Sequence, residues 1–258
     1  MLATLDRLHT RTHPSLAFFA EHLRQQRFNS QVVVVAGGTG GLGKGVSLAF
    51  LAEGATVVVT YRSQMEFDAL QLAAAESSHR LEGHVVDVLD ETALQTFITE
   101  VVARHGQLDA VVNAVGGYAA GSPPWEMPAD ALDKMLALNL RSGYRLLRTV
   151  VPTLLAQRRG AIVNIAAVAA VQHVASAAEY VASKAAAVAM VDSAAANLKG
   201  TGVRANSVLP SIINTASNRA AMPDADHAAW PTPEDIARVI LFLCSDDARL
   251  VNGAAIAV

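Results

Sequence analysis

From Gln31 onward the chain repeats one pattern: a short β-branched run, nearly all apolar, followed by an Ala/Leu-rich segment of helical period. The runs are Val32 to Val35, Thr56 to Thr60, Glu82 to Val88, Ala110 to Asn113, Ala161 to Ile165 and Val203 to Leu209, with a seventh at Ala254 to Val258. Runs this short and this apolar read as strands buried on both faces, as in a parallel sheet. The intervening segments predict helices over Leu42 to Glu53, Gln64 to Glu76, Glu91 to His105, Ala129 to Ala156, Ser176 to Lys199 and Thr232 to Ser245. Alternation of this kind is built either as an eight-stranded barrel or as an α/β open, doubly wound parallel sheet. Six strands, or seven with Ala254 to Val258, favour the open sheet with helices on both faces.

Nothing resembling a repeat or a linker interrupts residues 31–258, which therefore read as a single domain. Residues 1–30 read separately, as a helical arm with Leu16, Phe18, Phe19, Leu23 and Phe28 along one side. With 52% hydrophobic residues the chain can bury a core, which excludes a disordered protein. Twenty Lys and Arg against 23 Asp and Glu form no basic stripe, so nucleic acid is not an expected partner. The single cysteine, Cys244, rules out an intrachain disulfide and fits a cytoplasmic setting, and the scattered histidines imply no metal. The most apolar stretch, Ala161 to Val171, is too short to span a bilayer, so no membrane helix is expected.

The first strand runs into Ala36-Gly37-Gly38-Thr39-Gly40-Gly41-Leu42-Gly43-Lys44, and a helical pattern follows at once. A strand, a glycine turn and a helix start make a phosphate site: glycine lets backbone approach the ligand, and the free N–H groups of the first helical turn favour a pyrophosphate. Gly38, Gly40 and Gly43 satisfy one spacing, G-x-G-x-x-G, while Gly37, Gly41 and Gly43 satisfy another, G-x-x-x-G-x-G. In the second spacing the chain resembles the short-chain dehydrogenase/reductase family, with Ala36 where that family has Thr. The resemblance extends over everything after Gln31 and implies a Rossmann-type fold, a nicotinamide cofactor and a small-molecule substrate. It also implies that Asp87 and Val88 contact the adenine and that Asn113 and Ala114, in Asn113-Ala114-Val115-Gly116, line the cofactor. Pro210, Ile213 and Thr215 would then lie near the nicotinamide amide and pyrophosphate. The second strand ends in Thr60-Tyr61-Arg62-Ser63 without the carboxylate that NAD-specific sheets place there. Arg62 is suited to a 2′-phosphate, so charge favours NADP(H) over NAD(H).

Tyr180 and Lys184, in Tyr180-Val181-Ala182-Ser183-Lys184, match the family's Y-x-x-x-K and share one helix face. A phenol has a reference pKa of about 10; bringing it toward 7 takes about 4 kcal/mol, which a cation at about 4 Å supplies at an effective dielectric of about 20. Lys184 is accordingly expected to acidify Tyr180, the general acid, and by resemblance to bond the nicotinamide ribose. By the same resemblance Asn139 holds a water against the lysine.

The sequence departs from the family at Ala167, where a substrate-orienting serine is usual. Losing one oxyanion donor typically costs about 10²–10³ in rate. Either another group replaces it, with His173 and Ser176 nearest in sequence, or the acceptor needs little such help. Dihydropteridine reductases, a branch of the family, also carry alanine there. Similar segments here are Gly116 to Gly121, Leu209 to Thr215 with Asn218-Arg219, and Met222 to Asp226 with Trp230 and Thr232-Pro233. That likeness implies a quinonoid dihydropterin acceptor, with Tyr118, Trp125, Met222 and Trp230 lining the substrate pocket beside Ala167 and His173. An unidentified ketone or imine is the alternative acceptor, and a silent dinucleotide-binding protein acting through partners is the alternative function. The resemblance also implies a homodimer or homotetramer.

Overall fold

The computed structural model describes residues 26–258. The predicted arm residues Leu16, Phe18, Phe19 and Leu23 lie outside the described residues. Seven strands form one sheet in the order β3-β2-β1-β4-β5-β6-β7, every neighbouring pair parallel. They are β1 (Val32–Ala36), β2 (Thr56–Tyr61), β3 (Leu81–Val85), β4 (Ala110–Asn113), β5 (Gly160–Ile165), β6 (Val203–Leu209) and β7 (Ala255–Ala257). Between them run α1 (Gly41–Ala52), α2 (Gln64–Ala74), α3 (Glu91–His105), α4 (Ala131–Leu136), α5 (Ser142–Gln157), α6 (Ala178–Leu198), α7 (Ala216–Ala221) and α8 (Pro233–Cys244).

Because side chains alternate along a strand, β1 splits its valines between two cores. Val33 and Val35 pack with α1, α2 and α8 through Val46, Phe50, Leu70, Ile236 and Ile240. Val32 and Val34 pack with α3, α5 and α6 through Leu94, Ile98, Val150, Leu154 and Val191. Burial on both faces is why these strands carry no polar alternation. Strand order reverses between β1 and β4, the place where a doubly wound sheet opens a crevice beyond its C-terminal ends.

Four expectations need correction. The segment predicted as one helix from Ala129 is two, α4 and α5, joined by a π-helical stretch, Ala137–Arg141, that contains Asn139. Strand β3 stops at Val85 rather than Val88, because an edge strand is half-exposed and an Asx-turn follows: Asp87 Oδ1 accepts from the Leu89 N–H at 2.9 Å. Residues 216–221, where the sequence pattern predicted no helix, form α7, capped by Thr215 through the Asn218 N–H. Phe28 belongs to no helical arm; it sits in a turn, fully buried, with its ring 4.8 Å from Phe50.

Candidate active site

The glycine turn lies at the reversal point. Gly37 takes φ +73°, and a Cβ at Gly43 would run into the Gly37 carbonyl. At Gly41 a Cβ would stand 3.0 Å from Thr215 Cγ2, whereas at Gly40 its nearest neighbour would be 3.5 Å away. A Cβ at Gly38 would stand 2.5 Å from Val59 Cγ1, so Gly37, Gly38, Gly41 and Gly43 are all constrained and Gly40 alone of the five has ordinary room. Gly37 N–H donates to Thr60 Oγ1 at 3.0 Å, fastening the turn to the end of β2. Helix α1 begins without a side-chain cap, so the N–H groups of Gly41, Leu42 and Gly43 remain to be met by a ligand. Close backbone approach and uncapped N–H groups fit a pyrophosphate.

A groove of about 240 Å³ continues from the turn, lined by Thr39 and Gly40, by Thr60 to Arg62 at the end of β2, by residues 86–89, and by residues 114–116. Asp87, Val88 and Ala114, expected at the cofactor, all line this groove. Asn113 is not: it is buried, donates through Nδ2 to Asn164 Oδ1 at 2.8 Å and accepts the Val115 N–H at 3.3 Å. Its amide cross-links β4 to β5 instead of facing the groove.

Tyr180 and Lys184 stand one turn apart on α6, but they do not interact as the spacing suggested. Lys184 is buried, and its Nζ donates to the Ile165 carbonyl at the end of β5 at 2.9 Å. Burial brings its pKa down to about 8. Tyr180 is half-buried with its ring edge-on to Tyr118, centroids 4.9 Å apart. Desolvation, with the neighbouring phenol second, pushes its pKa up to about 12. The expected acidification of the phenol by the amine is therefore corrected: loss of water sets the direction for the phenol, and the amine donates to a carbonyl instead. The hydroxyl keeps its proton at neutral pH, the state a proton donor must be in.

Asn139 is the hub of this corner. Its Oδ1 accepts from the Gly117 N–H at 2.9 Å, and its Nδ2 donates to the Gly117 carbonyl at 3.0 Å and to Ser183 Oγ at 2.9 Å. A Cβ on Gly116 would sit 2.9 Å from Asn139 Oδ1 and 3.1 Å from Lys184 Nζ, so both atoms face one methyl-sized space.

Residues 36–258 match the model of the family described as enoyl-(acyl carrier protein) reductase. A 3-oxoacyl-(acyl-carrier-protein) reductase of Thermotoga maritima is 30% identical over 240 residues, covering 90% of this chain and 97% of the relative. The chain is a short-chain dehydrogenase/reductase. A meso-2,3-butanediol dehydrogenase of Serratia marcescens is 32% identical, with 90% of this chain and 94% of the relative covered. A solved short-chain type dehydrogenase/reductase from Mycobacterium ulcerans superposes with a TM-score of 0.84 at 26% identity, covering 90% of this chain and 89% of that one. Like its family, this short-chain dehydrogenase/reductase is an NAD(P)-dependent oxidoreductase acting on a small molecule. Among the described residues no helix is long and apolar enough to cross a membrane, and no cluster of ligating side chains could hold a metal ion.

Around Tyr180 this short-chain dehydrogenase/reductase gathers three loops. Residues 116–128 are tied to residues 171–177 by the Gly121 N–H and the Ser176 carbonyl at 2.9 Å, and residues 168 and 210 by the Val168 N–H and the Pro210 carbonyl at 2.9 Å. Ala167 is buried at the end of β5. His173 is exposed, and its side chain makes no hydrogen bond among the described residues. Trp125 is 81% exposed, which corrects its expected place as pocket lining: it stands out in solvent at the rim. Met222 and Trp230 are linked through His227, which the sequence reading passed over: Nε2 donates to the Met222 carbonyl at 2.7 Å and the ring lies 4.7 Å from Trp230. Ile213 packs against the core, and Thr215 packs against Gly41, joining this last loop to the glycine turn. The groove also holds Glu66, equally unforeseen, which lines it from the first turn of α2. The signal for it was the Ser63 cap three residues earlier, which fixes where α2 begins.

Proposed function

We propose that this chain interconverts a small, uncharged carbonyl compound and its alcohol with NADP(H) favoured over NAD(H), as a cytoplasmic homodimer or homotetramer. The observation that carries the reading is the placement of Tyr180, its ring edge-on to Tyr118 and one helical turn from a buried Lys184. A bound nicotinamide supplies or accepts the hydride. Tyr180 gives its proton to the oxygen of the acceptor, Lys184 is the amine that would bond the nicotinamide ribose, and Asn139 fixes Gly117 and Ser183 around them. Exposed apolar side chains on the loops near Tyr180, among them Tyr118, Val171 and Val174, support an acceptor without charge. Relatives named as a 3-oxoacyl reductase and a butanediol dehydrogenase support carbonyl–alcohol chemistry. Arg62 supports the 2′-phosphate.

A quinonoid dihydropterin is a second reading, favoured by one observation: the side chain at 167 is a buried methyl with no oxyanion donor to offer. An assay following loss of reduced nicotinamide across ketones, diones and a quinonoid dihydropterin separates the two. Tyr180→Phe is expected to lower kcat by about 10²–10⁴ on the active substrate while leaving coenzyme binding unchanged. Unchanged kcat in that variant would overturn the catalytic reading, and silence across the panel with intact coenzyme binding would favour a binding protein.

A further inference from the structure

The groove at the end of β2 carries an opposed pair of charges. Arg62 lines it with no hydrogen bond or ion pair among the described residues, and Glu66 lines the same groove from the first turn of α2. Glu66 is held there: Thr39 Oγ1, itself nearly buried in the glycine turn, donates to Glu66 Oε2 at 3.0 Å. Oε1 has no partner among the described residues. The Thr60 hydroxyl, at the position where a carboxylate would serve NAD, is already engaged as the acceptor of the Gly37 N–H.

We infer that Glu66 is a specificity-determining residue: it replaces, from α2, the carboxylate missing from the end of β2, and it competes with Arg62 over which coenzyme binds. This inference rests on the nicotinamide reading above. A carboxylate with one oxygen committed to Thr39 and one free accepts from a ribose hydroxyl, and a charge-assisted bond of that kind is about twice as strong as a neutral one. Toward a 2′-phosphate, whose charge is about −1.5 to −2, the same carboxylate is repulsive while Arg62 is attractive. The chain therefore accepts both coenzymes, with its preference for NADP(H) held well below what Arg62 alone would give.

Glu66→Gln tests this cleanly, because an amide oxygen can still accept from Thr39 and only the charge is lost. Coenzyme fluorescence titrations of NADPH and NADH are made on the full chain and on Glu66→Gln and Arg62→Ala. A charge of −1 against about −2 within about 5 Å in water-like surroundings corresponds to about a tenfold change in affinity. Glu66→Gln is thus expected to tighten NADPH several-fold, weaken NADH, and raise the NADPH/NADH preference about tenfold. Arg62→Ala is expected to shift the preference the other way. A preference unchanged in Glu66→Gln, or equal weakening of both coenzymes, would overturn the assignment while leaving the nicotinamide reading standing. Failure of either coenzyme to bind the unaltered chain would overturn that reading itself.

Discussion

Lys184 shows how far a spacing carries and where it stops. The interval from Tyr180 to Lys184 makes the pair legible, because four residues return a helix to the same face. The direction in which each group titrates is not legible, since it depends on how much water each loses on folding, the amine in its buried seat and the phenol with Tyr118 against it. A buried ammonium destabilises the fold wherever it is charged. Its pKa falls from 10.5 to about 8 on folding, so between those values the unfolded chain holds the proton that the folded chain has released. In that window stability rises with pH, and below about 8 the full cost is present. Lys184→Met removes the charge and keeps the stem. Relative to the unaltered chain, it is expected to gain at pH 7 and to lose that advantage by about 3 kcal/mol as pH approaches 10.5. Urea unfolding at several pH values measures the gap; a gap independent of pH would show that the amine is not desolvated. Glu66 is the opposite case at this scale, a residue invisible to motif reading because its role comes from a hydrogen bond to Thr39, 27 positions away.

The strands were readable because two-sided burial leaves an uninterrupted apolar run, and β1 with its four consecutive valines is the clearest instance. β3 is less so: as one of the two edge strands it carries Glu82, Gly83 and His84 in sequence, and nothing local marks where the Asx-turn at Asp87 ends it. The π-helical stretch was unreadable, because a widened turn has no composition of its own and appears where a side chain must be re-aimed. Here that side chain is Asn139, which ties α4 and α5 to Gly117 on one side and to α6 through Ser183 on the other. Asn139→Ala would leave the Gly117 amide and carbonyl without partners at a buried junction, while the Ser183 hydroxyl keeps its bond to the Tyr180 carbonyl. The expected loss is about 3 kcal/mol of stability, from desolvated groups left unpaired. Turnover should fall with it, since the Gly116–Gly117 turn faces Lys184. Denaturation together with a KM-against-kcat comparison checks both; a loss confined to stability would make Asn139 a strut and not a positioning residue.

At the scale of the whole molecule, alternation of strands and helices already implied the sheet, and the glycine turn implied which way it winds, because a phosphate site at the first β-to-α turn belongs to the doubly wound arrangement. What the pattern could not give was the edge of the domain. A boundary at residue 31 follows from where the first apolar run begins, yet the molecule closes further upstream. The Phe28 N–H donates to the Glu53 carbonyl at 3.0 Å, the Gln31 N–H to the Phe28 carbonyl at 3.0 Å, and Arg27 pairs with Glu53 at 2.8 Å, holding that carboxyl below its usual range. Together these fasten the entry to β1 against the end of α1, with the Phe28 ring packed edge-on against Phe50. If this turn is part of the domain, its aromatic ring is worth what a core aromatic is worth. Phe28→Ala is then expected to cost about 3–5 kcal/mol in urea unfolding, with the dependence on urea unchanged because the same surface is exposed when the chain unfolds. An appendage would cost less than about 0.5 kcal/mol, the range of ordinary surface changes. Coenzyme affinity should hold in either case, because Phe28 and Phe50 meet at the C-terminal end of α1 while the phosphate site lies at its N-terminus.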